Sequence, residues 1–173
     1  GSELSELGVQ SQPSVQQHRF IQVSLHTQFC NRASSTELFS LAKAGLCLRC
    51  YVSHTILWAC KKLASQFCAT GQFTYRDLLP YVLNDDGSLQ IVLDQDRDNQ
   101  IVLTRKGETH NAEYRLFAVE VLQRFNPNAQ PEASLDRWVY CQTRQNKELK
   151  DFLSERGLCL LSDWALLNRV GAS

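Results

Sequence analysis

The sequence predicts a mainly α fold, a helical bundle that carries one small β-hairpin flap. Three observations lead there. Apolar residues recur at three- and four-residue steps through most of the chain. Two matching Ile-Val-Leu triplets interrupt that periodicity around an acidic turn. A hydrophobic content of 43% over 173 residues is enough for one ordinary core.

The polar stretch at residues 1–17, rich in Gln and Ser, holds too few apolar side chains to offset its ordering entropy and reads as a disordered tail. A single helical domain is expected over 18–173. Its N-terminal helical part is 18–88, its hairpin 89–104, and a second group of helices covers 113–173.

Ser34 and Ser35 offer N-caps to a helix through Leu38, Leu41 and Ala42, which Gly45 is expected to divide from the next run. That next run is amphipathic, with Leu46, Cys50, Ile56, Leu57, Cys60, Leu63 and Phe67 on its apolar face and Lys61 and Lys62 outside. It should close near Gly71. Thr74 caps a short helix over 75–83 with Asp77 in a partial capping box, and Pro80 inside it predicts a kink or two shorter pieces.

The triplets Ile91-Val92-Leu93 and Ile101-Val102-Leu103 then form the hairpin, whose polar surroundings suggest a solvated flap. From Glu113 a helix carries Tyr114, Phe117, Ala118, Val121 and Leu122 and stops at Asn126-Pro127. Ser134 caps a helix with Leu135, Trp138 and Val139. Another carries Leu149, Phe152 and Leu153 and ends at Gly157, and Ser162 caps a last one with Trp164.

Composition narrows the function. Seven cysteines in largely apolar contexts suggest buried, reduced thiols, and with no apolar run of membrane-spanning length a soluble, cytoplasmic protein is expected. Net charge is zero, spread as +3 over residues 1–70, −4 over 71–113 and +1 over 114–173. A self-sufficient DNA-binding module is usually basic, so any DNA contact here must be local or assisted by a partner.

Asp94-x-Asp96-x-Asp98 copies the first half of a calcium loop, yet Arg105 stands where the bidentate Glu belongs, which favours an acidic turn. Cys47, Cys50 and His54 share helical spacing without a fourth ligand, which favours packing over zinc. No nucleophile signature, phosphate-cradling loop or carboxylate pair marks an enzyme. No catalytic residue, metal, cofactor or small-molecule substrate is expected.

The stretch from Tyr114 to Val170 holds the turn Phe125-Asn126-Pro127, then Trp138, then the pair Arg144-Gln145. In that order these residues resemble the second conserved region of bacterial sigma factors. The segments Phe73 to Pro80 and Ser162 to Asn168 are similar to a cyanobacterial group of sigma-like proteins. The resemblance implies a transcription-regulatory domain that contacts promoter DNA, RNA polymerase or both. The DNA contacts it implies are Arg137, Arg144, Lys147 and Lys150 on phosphate, Trp138 or Tyr140 stacked on a base, and Gln145 beside them. Cys141 and Gln142 replace the paired Trp with which sigma factors open the duplex. The alternative is therefore a protein-interaction or dimerisation domain, with a second copy or a regulatory protein as partner.

Overall fold

The structure is a computed structural model that describes residues 15–30, 37–67, 71–128 and 134–160. The caps expected at Ser34 and Ser35 and the last helix with Trp164 lie outside the described residues, as does the expected tail up to residue 14. Six helices and a three-stranded antiparallel sheet make up the described part, so the fold is mainly α with a small hairpin element.

The first helix, α1 (Val15–Cys30), was not foreseen. Its sequence, VQQHRFIQVSLHTQFC, has no continuous apolar stripe, and its start at Val15 takes in the last residues assigned to the tail. Packing decides it instead of pattern: its last two turns bury His26, Phe29 and Cys30, while residues 16–21 stay exposed.

The spine of the domain is α2 (Leu38–Gln66), 29 residues long, which makes it about 43 Å in length. Gly45 was expected to divide it and does not. Its missing side chain is what lets α1 approach, since a Cβ there would lie 2.5 Å from the Phe29 ring. The buried face of α2 is Leu41, Gly45, Leu48, Val52, Ile56, Ala59 and Leu63. Cys50, expected on that face, is exposed instead, and Arg49 is inside.

Arg49 carries its charge at 1% exposure, matched by Asp85 at 4%. Its Nε and Nη2 donate to the two Asp85 oxygens at 2.6 and 2.5 Å, and Nη1 donates to the Leu89 carbonyl at 2.7 Å. All three contacts fix α2 against the segment that enters the sheet. Burial alone would raise the Asp85 carboxyl, but the Arg49 guanidinium and the Gly87 amide hold it below its ordinary value.

The capping box forms as expected: the Thr74 amide and hydroxyl both donate to Asp77, at 2.7 and 2.9 Å. Pro80 gives two pieces, a 3-10 turn at Tyr75–Asp77 and the four-residue α3 (Leu79–Val82).

Strands β1 (Ile91–Leu93) and β2 (Gln100–Leu103) form the expected hairpin, and β3 (Thr109–Asn111) extends it. Ile91 opposes Val102 and Val92 opposes Ile101. The apolar triplets are not solvated. Successive residues of a strand point to opposite faces, and here both faces are covered: Ile91, Leu93 and Val102 join the main core, while Val92 and Leu103 pack on Leu41 and Ala42 at the start of α2.

The next helix, α4 (Phe117–Arg124), begins later than Glu113, and Tyr114 is exposed. Side chains from elsewhere hold its start. The Gln100 amide donates to the Leu116 carbonyl while its oxygen accepts from the Leu116 N–H, and Asn84 accepts from the Phe117 N–H. The last two helices are α5 (Leu135–Gln145), capped by Ser134, and α6 (Lys147–Ser154), capped by Asn146. One core joins residues from Phe29 to Leu153. Among the described residues, no helix is long and apolar enough to cross a membrane.

Two predictions concern this frame. Gly45→Ala should lower stability by about 1–3 kcal/mol through collision with Phe29, and Phe29→Leu added to it should recover part of the loss in thermal melting. Asp85→Asn should cost about 3 kcal/mol by leaving a buried guanidinium short of its counter-charge. A carboxyl held low contributes stability that is present above about pH 4 and is lost as pH falls through the folded-state value. Acid melts should therefore bring the wild type down toward Asp85→Asn below about pH 4, and a gap that stays constant would refute the role given to the pair.

Candidate functional site

Along α2 and α5, the side chains that face solvent beside the core converge on an open cleft of about 460 Å³ lined by His54, Thr55, Trp58, Asp136, Arg137 and Tyr140. Trp58 follows from the helical period of α2: with Ile56 and Ala59 buried, residue 58 turns outward, and it is 50% exposed. On α5, Leu135, Val139 and Thr143 are buried, so Asp136, Tyr140 and Arg144 form a row at i, i+4 and i+8 beside them.

The ring centroids of Trp58 and Tyr140 lie 5.2 Å apart at an interplanar angle of 50°. Each aromatic is followed one turn later by a cation. The Lys62 ammonium sits 4.9 Å from the Trp58 centroid and 5.4 Å from that of Tyr140, and the Arg144 guanidinium sits 5.7 Å from Tyr140. These are flat apolar faces beside long, flexible cationic arms, a combination that holds planar groups carrying negative charge.

At the other end of the cleft, the Asp136 carboxylate ties the two helices together. One oxygen accepts from the Tyr51 hydroxyl at 2.7 Å and the other from the Thr55 hydroxyl at 2.8 Å. Burial, then the hydrogen bond to Asp136 and its charge, push the Tyr51 phenol up to about 12, so it stays a donor at neutral pH.

The residues expected on one DNA-contacting face do not share one surface. Arg137 and Tyr140 line the cleft, and Arg144 lies over the Tyr140 ring beside it. Trp138 does not: its indole N–H donates to the Val121 carbonyl at 2.9 Å, and its ring packs on the core 6.2 Å from Phe125. Gln145 and Lys147 line a separate polar groove of about 520 Å³ with Arg115, Glu120 and Arg124, and Lys150 is exposed on α6. The cause is local. Asn146 leaves the helical region, at φ −55° and ψ 129°, which breaks the phase between α5 and α6.

Trp58, Lys62, Thr55 and Asp136 were not read from sequence as site residues. A large aromatic on the polar side of an amphipathic helix, with Lys four residues on, was the available signal. In the turn Phe125-Asn126-Pro127, Phe125 is buried against His26, with centroids 5.2 Å apart. Burial lowers the His26 pKa, its backbone bond to Leu122 opposes this, and the Arg97 charge adds to the lowering.

Asp94, the head of the calcium-like run, spends its carboxylate on the Asp98 and Asn99 amides and the Asn99 side chain. Among the described residues, no three His, Cys, Asp or Glu side chains converge as metal ligands. The cysteines differ from expectation. Cys30 and Cys60 are buried, and burial pushes the Cys60 thiol up to about 12, but Cys47, Cys50 and Cys159 are exposed. Comparison with protein-family models, curated proteins and solved structures gives no match.

The position of Trp138 leads to a prediction. Trp138→Ala should lower stability by about 3 kcal/mol in thermal melting, the cost of a core aromatic, whereas Tyr140→Ala, which loses the Trp58 ring contact, should lower it by about 1 kcal/mol. An unchanged melt for Trp138→Ala would return that residue to the surface.

Proposed function

We propose that the chain is a sigma-like transcription-regulatory domain that contacts promoter DNA as a single strand, in the cleft between α2 and α5. The observation that carries this is the doubled arrangement of aromatic and cation: Trp58 with Lys62 on one helix and Tyr140 with Arg144 on the other, with the rings 5.2 Å apart. A base stacked on either ring leaves its phosphate within reach of a cation one turn away, which is how single strands are held without reading sequence. Arg137 and His54 add donors at the rim. With a balanced net charge the domain has no long-range attraction for DNA of its own, so on this reading a partner, RNA polymerase, brings the strand to the cleft.

A second reading, a protein-interaction domain, is favoured by Phe20 and Ile21, which are 75% and 51% exposed on α1.

Fluorescence anisotropy with labelled single-stranded and duplex promoter fragments tests the proposal. Single strand should bind more tightly than duplex. Trp58→Ala should cost about 1–3 kcal/mol of that affinity, and Lys62→Ala with Arg144→Ala should flatten the dependence of log K on log salt by about 0.7 per phosphate lost. Equal binding of both forms, with no effect of Trp58→Ala, would favour the protein partner.

A further inference from the structure

We infer that the cleft selects guanine, through Asp136; this deepens the single-strand reading and rests on it. Beyond the tie it makes to Tyr51 and Thr55, Asp136 is the one acid among the described residues that line the cleft, beside Arg137 and with the cations Lys62 and Arg144 over the adjoining rings. Its place in the row gives it a use. Along α5 the order is carboxylate, aromatic ring, guanidinium at residues 136, 140 and 144, separated by about 6 Å per step. A nucleotide has the same order: the hydrogen-bonding edge of the base, the base plane, then the phosphate.

The chemistry of the edge picks the base. Each carboxylate oxygen carries two lone pairs; Tyr51 and Thr55 take one on each oxygen and hold the group in place. The remaining pair of acceptors matches two parallel donors. Guanine offers them as N1–H and the N2 amine. Adenine and cytosine set a ring-nitrogen acceptor beside a single amine, and thymine flanks its one N–H with carbonyls, so each brings a lone pair against the carboxylate. That edge is accessible only when the strand is open. A guanidinium from a partner protein offers the same two donors, but Lys62 and Arg144 already lie over the rings and repel a cation.

The test uses the 173-residue chain and fluorescein-labelled thymidine tracts whose central base is guanine, adenine, cytosine, thymine or hypoxanthine. The guanine tract should bind on the order of tenfold more tightly than the adenine, cytosine and thymine tracts, and hypoxanthine, which lacks the N2 amine, should lose most of that advantage. Asp136→Asn should abolish the preference, and Tyr51→Phe, which keeps the carboxylate, should retain it. Should Asp136→Asn fail to fold, the hypoxanthine tract decides with wild-type protein alone. Equal affinity for all five tracts, with binding still lost in Trp58→Ala, overturns guanine selection and leaves strand binding standing. Free dGMP competing as tightly as the guanine tract upholds guanine recognition and overturns the strand as its source. Displacement by an arginine-rich peptide, or no binding of any tract, overturns both.

Discussion

Arg49 places a positive charge inside the domain, where water cannot solvate it, and the surroundings of α2 are organised to meet that demand. Two oxygens of Asp85 and the Leu89 carbonyl receive its donors, so the segment before β1 has one place to lie. From there the sheet follows: β1 enters with Ile91 and Leu93 toward the main core and Val92 toward the start of α2. A hydrophobic pair of similar volume would pack at least as well. What the ion pair adds is direction, because a guanidinium fork accepts only a narrow range of approach.

Two further constraints finish the placement of α2. The Phe29 ring occupies the space left by Gly45, setting α1 closer than an alanine would permit. On another side Asp136 draws α5 in through Tyr51 and Thr55. The cleft is a by-product of this packing. Two helices joined at one end by a carboxylate, each with an aromatic one turn beyond and a cation one turn beyond that, enclose a space graded from acceptor to apolar to positive.

Much of this was legible in the sequence wherever a short-range signal existed. The capping box at Thr74, the break at Pro80, the cap at Ser134 and the paired apolar triplets each act within a few residues, and each appears where its chemistry places it. What depends on distant partners was not legible. α1 has a weak stripe and is held by what it packs against; Gly45 reads as a breaker until Phe29 is known to fill its place; and the hairpin looks solvated until both its faces are seen covered. Of the residues around the cleft, Arg137, Tyr140 and Arg144 were named through the resemblance of their run to sigma factors, while Trp58 and Lys62 lie some eighty residues earlier and come beside them only when α2 and α5 meet. Trp138 was the false lead, an aromatic in the right run whose indole serves the core.

The tether through Asp136 also bears on the order in which the protein folds. Its two hydrogen bonds join residues separated by 85 and 81 positions, and the contact of His26 with the Leu122 carbonyl spans 96. Closing loops of that length costs entropy that is returned only once the core between them has formed, so such contacts come late on the way to the native state. The cleft walls therefore do not exist as a pair in a partly folded chain: α2 can be helical and the hairpin can be zipped while Trp58 and Tyr140 are still apart. A spectroscopic signal from that ring pair would report completion of the fold, not its beginning.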